Sequence, residues 1–354
     1  MIVIHYMDDY HPPNGRPSSQ PRPLPLRDNG IRMSTLPLFP QPLSPLRAAL
    51  ATKLADLASH GIYLGTSSWK YPGWLGSIYT PERYHARGRF SNRKFEQECL
   101  GEYAETFPVV CGDFAFYQFP SPEYWKRLFG SAPPTLCFAF KVPEEITVRI
   151  WPSHARYGPR AGQDNPSFLN ADLFRAMFLD LLEPYRDQVV ALIFEFGAFP
   201  RNLYESVETF LGDLDTFLNA LPKFWRYAVE IRNPEFLAPE YLDCLRRHGV
   251  AHVFNAWTRM PELRHQIELP GVETAEFTVT RALLRLGRPY EQAVRKFQPY
   301  SSVQEPNPPV RAALASIIGR AKQTRRPAYI FVNNRLEGNA PGTIAAVLGI
   351  GEQA

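Results

Sequence analysis

The chain has 354 residues, 45% of them hydrophobic and 13% aromatic, which is enough apolar material for a large buried core. A count of 39 cationic against 35 acidic side chains leaves a net charge of +4, too mild and too dispersed to point to nucleic acid or a membrane surface. No stretch reaches the roughly 20 apolar residues of a membrane span, and the opening MIVIHYMDDY lacks the basic and long apolar segments of a secretory signal, so a cytoplasmic protein is expected.

Residues 1–45 carry ten prolines and cannot build helices or ladders; a disordered or polyproline-like tail is expected there, with a start of translation at Met33 as an alternative. Residues 46–354 are expected to form one domain. Leu46, Leu50, Leu54 and Leu57 recur at helical spacing up to His60-Gly61. From Ile62 short apolar runs alternate with helical patterns. Strands are expected at Ile62–Thr66, Val109–Phe116, Leu136–Val142, Val189–Phe196, Tyr227–Arg232, Val250–Asn255, Glu276–Arg281 and Tyr329–Asn334. Helices are expected around Phe95–Tyr103, Ser121–Phe129, Asp172–Tyr185, Val207–Leu221, Pro239–His248 (capped by Gly249), Tyr290–Phe297, Val310–Thr324 and Gly342–Leu348. Residues 150–170 read as a long loop over the third strand's carboxyl end. Near-continuous apolar strands indicate a parallel sheet covered on both faces. Eight such units favour an α/β fold, a (β/α)8 TIM barrel, over a doubly wound open sheet.

In a barrel the functional groups sit at the carboxyl ends of the strands, and the period of two selects those that face the lumen. This gives Asp113, Lys141, Glu195, Glu230, Arg232, Asn255, Arg281 and Asn334, with Glu337 just beyond. A lattice of internal ion pairs, Glu230 with Lys141 or Arg232 and Glu195 with Arg281, is the structural reading of any one of these pairs. Trp69, Tyr71, Trp74, Phe116 and Tyr117 follow the first two strands, as rim packing or as a stacking wall.

The chemistry narrows by what is missing. None of the eight histidines falls at a strand's carboxyl end, which argues against a zinc-histidine site there. No phosphate-cradling glycine loop and no nucleophile elbow appears, and no cofactor is evident. A magnesium site on Asp113, Glu195 and Glu230 has no further support. Cys99, Cys111, Cys137 and Cys244 fit neither a zinc motif nor a disulfide framework and are expected as reduced core thiols. Lys141 as an imine-forming lysine is disfavoured by the carboxylates around it. Three cations with amide donors favour an anionic or polyhydroxylated small molecule.

The stretches LGTSSWKYPGW (Leu64–Trp74), FPVVCGDFAFYQFPSPE (Phe107–Glu123), FAFKVPEEIT (Phe138–Thr147), RYAVEIRNPEF (Arg226–Phe236) and FVNNRLEGNAP (Phe331–Pro341) resemble, in order, the motifs of the domain-of-unknown-function 72 family. The resemblance implies a TIM barrel with a pocket on its top face, holding Trp69, Tyr117, Lys141, Glu230, Arg232, Asn334 and Glu337; it implies no substrate. One motif departs. Where the family reads V-E-I-N-S-T-F-Y, this chain reads VCGDFAFY over Val110–Tyr117, so Cys111 replaces a glutamate and Asp113 an asparagine.

The expected function is an enzyme acting on a small anionic or sugar-like substrate. Glu230 or Glu195 would act as acid/base with Asp113 and Lys141 beside them, Arg232 and Arg281 would hold the anion, and the asparagines would orient it. The alternatives are a non-catalytic metabolite-binding protein and, last, a nucleic-acid-processing enzyme. The sequence says nothing of oligomeric state.

Overall fold

The computed structural model describes residues 44–200, 203–204 and 206–351. The expected proline-rich tail lies outside the described residues apart from Ser44 and Pro45. Eight parallel strands close into a barrel: β1 (Ile62–Thr66), β2 (Val109–Gly112), β3 (Cys137–Lys141), β4 (Val189–Phe196), β5 (Tyr227–Ile231), β6 (Ala251–Ala256), β7 (Thr278–Ala282) and β8 (Ala328–Val332). Each pairs with its neighbours, and β8 returns to β1 with Ile62 beside Ala328 and Thr66 beside Val332. The β1–β2 seam has the shortest ladder, with only Thr66 in register beside Val110. It depends on Gly65, where a Cβ would stand 1.8 Å from the carbonyl oxygen of Val109.

The principal helices are α1 (Pro45–Ser59), α2 (Asn92–Ala104), α3 (Pro122–Gly130), α4 (Val207–Ala220), α5 (Pro239–His248), α6 (Tyr290–Phe297), α7 (Pro308–Thr324) and α8 (Ala340–Val347). Side chains of Ser44, Ser91 and Ser121 accept backbone N–H bonds at the starts of α1, α2 and α3. Gly249, at φ 66°, closes α5 as its position after the last apolar residue suggests. Among the described residues no helix is long and apolar enough to cross a membrane.

Two apolar layers follow from the strand period. Phe138, Phe140, Leu192, Phe194, Val229 and Ile231 face outward into the main core under the helices. Cys111, Ala139, Ile193, Ala228, Val253 and Val279 fill the lumen, with Tyr329 and Phe331. That last pair corrects the expected parity of β8. Ile330 and Val332, read as lumen-facing with Asn334, pack outward instead. The bulky Tyr329 and Phe331 occupy the lumen opposite small residues such as Ala139 and Ala228, so size alone misassigned the face.

Two elements depart from expectation. The second strand stops at Gly112 rather than Phe116, and Asp113–Phe116 form a 3-10 turn. A Cβ on Gly112 would stand 2.7 Å from the Phe114 ring and 2.8 Å from that of Phe140, so the glycine lets the chain fold the Phe114 ring back over the strand end. The single helix expected over Asp172–Tyr185 is broken. An α turn (Ala171–Phe174) passes into a π turn (Arg175–Leu179), a short α segment and a 3-10 turn containing Pro184. Proline's missing N–H ends the regular ladder. The extra residue of the π turn brings both Phe178 and Leu179 to the core.

Candidate functional site

Parity on five strands delivers six charged side chains to the carboxyl-end mouth of the barrel. Lys141 ends β3, Glu195 lies near the end of β4, Glu230 on β5, Arg232 just past it, Arg281 on β7, and Asp113 in the turn after β2. Arg281 is the hub. Its Nη1 donates to Glu195 Oε2 and Glu230 Oε2, and its Nη2 lies 3.0 Å from Asp113 Oδ1. Arg232 Nη2 is 2.9 Å from Glu195 Oε2 and 2.7 Å from Glu230 Oε1. The second of these is an ion contact without hydrogen-bond alignment, so Glu230 Oε1 has no aligned donor. Lys141 Nζ is 3.2 Å from Glu195 Oε2. Three carboxylates thus meet three cations, and the group closes on itself.

Two cations also use aromatic faces. Lys141 Nζ lies 3.6 Å from the centre of the Phe116 ring, and the Arg232 guanidinium 3.6 Å over Trp257. Burial alone would raise the Glu195 carboxyl, but Arg232, Lys141 and Arg281 outweigh it and hold the group far below the usual carboxylate range. Burial works against the Arg281 charge, and the surrounding carboxylates overcome it, raising its pKa. Burial pushes the Cys111 thiol well up, so it stands as a neutral group 3.9 Å from Asp113 Oδ1. A magnesium ion on Asp113, Glu195 and Glu230 would have to displace Arg281 from among them.

The other expected site residues lie apart from this cluster or serve the fold. Asn255 is fully buried; its Nδ2 donates to the Ile231 carbonyl at 3.1 Å, while its Oδ1 is unpartnered. Asn334 starts the short helix Asn334–Glu337, and its Oδ1 accepts from Trp74 Nε1 and the Ala340 amide; it does not face the lumen. Glu337, expected at the rim, is buried outside the barrel, where its carboxylate accepts from Arg311, Thr343 and the Asn307 amide. Trp69 is buried against Phe114, with its Nε1 unpartnered. Tyr117 is 55% exposed, under the guanidinium of Arg156. Arg156 comes from the loop expected over the third strand. That loop is folded, pinned by Asn165 Nδ2 to the carbonyls of Glu145 and Val148, and by Arg156 and Tyr157 to Glu144.

Three residues at the mouth were not singled out from sequence. Trp257 follows Asn255 by two positions, so continuing the strand period past β6 finds it. Asn333 is the residue that parity with Tyr329 and Phe331 selects. Arg335 lies in the VNNRLEG stretch; its guanidinium stacks 4.5 Å over Tyr290, with Tyr71, Tyr300 and Asp113 close enough to act on its charge. Burial opposes that charge, yet those neighbours raise its pKa. No carboxylate among the described residues is within ion-pair reach of it. At the opposite end of the barrel a depression of about 390 Å³ is lined by Arg226, Glu276, Phe277, Arg325 and Arg326.

Comparison with known proteins agrees with this architecture. Solved structures with a similar fold include a DUF72 family protein from Thermotoga maritima (TM-score 0.52, 19% identity, 82% of this chain and 98% of that one). Another comes from Enterococcus faecalis (TM-score 0.52, 18% identity, 81% and 95%). UPF0759 protein YecE of Escherichia coli K12 is 26% identical over 181 residues, and the match spans half of each chain. Residues 63–352, from β1 through the last helix, match the family described as "Protein of unknown function DUF72". The closed eight-stranded barrel and that match over most of its length make the chain a member of the DUF72 family.

Proposed function

We propose that the carboxyl-end mouth binds a small anionic or sugar-like ligand, phosphorylated compounds included, and that Glu230 is the acid/base group of an enzyme acting on it. Arg335 carries the reading. Lys141, Arg232 and Arg281 are matched by Asp113, Glu195 and Glu230, whereas Arg335 is half-buried among tyrosines with no carboxylate of its own. A half-buried guanidinium not committed to a carboxylate keeps its planar fork for phosphate or carboxylate oxygens. Buried donors without partners at the same end, Arg232 Nε, Arg281 Nε and Trp69 Nε1, support a polar ligand, as does the acceptor Asn255 Oδ1. Glu195, held ionised by three cations, is unsuited to giving up a proton near neutral pH. That leaves Glu230, whose Oε1 lacks an aligned donor, for the proton-transfer role.

A second reading, a metabolite-binding protein without catalysis, is favoured by the closure of the ion cluster and by Cys111 in place of the family's glutamate. A thermal-shift screen of sugar phosphates, sugar acids and nucleotides, with and without magnesium, tests both. The enzyme reading expects a stabilising ligand that is consumed by the wild type and bound but not consumed by Glu230→Gln. Stabilisation without consumption favours the binding protein. A screen in which nothing stabilises the chain contradicts both.

A further inference from the structure

Away from the barrel mouth, α4 and α5 bring together three side chains outside the ion cluster, one of them, Cys244, at the edge of the main core. Cys244 and His248 lie four residues apart on α5 and therefore on one face of that helix. Asp215 projects from α4 opposite them. One ligand-type atom from each, Cys244 Sγ, His248 Nε2 and an Asp215 carboxylate oxygen, falls within 4.8 Å of the others. His248 Nε2 is 2.9 Å and Cys244 Sγ 3.8 Å from Asp215 Oδ1.

We propose that Asp215, Cys244 and His248 form a three-ligand site for a zinc-class divalent cation, with water as the fourth ligand. Tetrahedral zinc with thiolate, imidazole and carboxylate ligands separates the donor atoms by roughly 3.3–3.6 Å, as its bond lengths of about 2.0–2.3 Å require. The two Asp215 spacings straddle that range and the Cys244–His248 pair is held within 4.8 Å, so the metal would open the His248–Asp215 contact and draw Cys244 inward. The ligand set is selective. A thiolate and an imidazole favour zinc and cobalt over magnesium or calcium.

The surroundings supply the rest. Cys244 is buried and the His248 side chain is 10% exposed, while Asp215 opens at 43% onto a depression of about 380 Å³. Glu208, Glu240 and Asp243 line that depression beside Asp215, a negative approach for a dication and room for its water. Arg247 competes: its Nη2 lies 2.8 Å from Asp215 Oδ1. Metal binding leaves it the other carboxylate oxygen or the acidic rim. The thiol loses its proton to solvent as the metal–sulfur bond forms, so no redox partner is needed. A bound ion would clamp α4 to α5 across the barrel's outer layer.

Cobalt(II) is the probe. The full chain, stripped with chelator and titrated with cobalt(II), is expected to bind one ion with a near-ultraviolet sulfur-to-cobalt charge-transfer band and the visible bands of a four-coordinate ion. Cys244→Ser should lose the charge-transfer band, and Asp215→Asn and His248→Gln should each weaken binding by about 10-fold or more. Asp243→Asn, on the rim, should change it less than about 3-fold. Asp215→Asn and His248→Gln, at side chains less buried than Cys244, keep the test sound if Cys244→Ser fails to fold. Absence of stoichiometric binding by the wild type overturns the site, as does a spectrum that survives Cys244→Ser or an affinity indifferent to Asp215→Asn and His248→Gln.

Discussion

Arg281 and Asp113 face each other across the barrel mouth, from β7 and the turn after β2, with the guanidinium Nη2 3.0 Å from the carboxylate. Since β8 and β1 lie between their strands, no local pairing explains the contact. The same guanidinium reaches Glu195 and Glu230, so one cation spans half the ring. Replacing Arg281 by Met should leave three carboxylates short of a buried partner. Breaking a buried pair costs about 3–5 kcal/mol, and chemical denaturation should show that loss with an unchanged slope if the barrel stays intact.

In the second-strand stretch the resemblance sets Cys111 at a glutamate position and Asp113 at an asparagine position, an exchange that would keep one carboxylate, and Asp113 is the group paired to Arg281. Asp113→Asn alone should destabilise by about 1–3 kcal/mol. The double change Cys111→Glu with Asp113→Asn should restore most of that loss, since the lumen position beside Asp113 then carries the carboxylate. A double-mutant cycle in urea reads the coupling.

Glu337 lies in a conspicuous motif yet ties the structure together. Its carboxylate is fully buried and accepts from Arg311, Thr343 and the Asn307 amide, joining the end of β8 to α7 and α8. Glu337→Gln should lower stability by about 3 kcal/mol without altering ligand affinity in the protein that remains folded. Equilibrium unfolding and titration calorimetry on the same sample separate the two effects.

His252 contributes a pH dependence. Burial lowers its pKa from 6.5 to about 4, outweighing a hydrogen bond from Gln266 that works the other way. The folded state therefore binds fewer protons than the unfolded chain between those values, so stability is full above about pH 6.5 and falls as pH drops toward 4. The shift corresponds to about 3 kcal/mol. Glu195 adds a further loss at more acid pH, because its depressed pKa stabilises the fold only while it is ionised. His252→Phe should flatten the profile between pH 6.5 and 4 and leave the Glu195 limb in place.

The strand count, the barrel and the ion-forming residues were legible because alternating apolar runs and parity are local signals. Lys141, Glu195, Glu230 and Arg281 point where their strands' small lumen residues, such as Ala139, Ala191 and Ala228, say they should. The period of two held on β8 but its face was misassigned: Tyr329 and Phe331, larger than the outward-facing Ile330 and Val332, point into a lumen that has room for them because neighbouring strands contribute alanine and cysteine. Glu337 and Asn334 were misplaced for a different reason. Their partners Arg311 and Trp74 come from distant elements, and no local pattern in VNNRLEGNA reveals them.

An anion at Arg335 should stabilise the fold. Melting the protein at constant ionic strength, with chloride replaced by phosphate or by sulfate, tests it directly in the wild type and in Arg335→Met. At ten times the dissociation constant a bound anion adds about 1.4 kcal/mol, a rise of roughly 3 °C for a domain of this size. The wild type should show that rise and Arg335→Met should lose it. A wild-type melting temperature indifferent to the anion, or an equal rise in Arg335→Met, would contradict it.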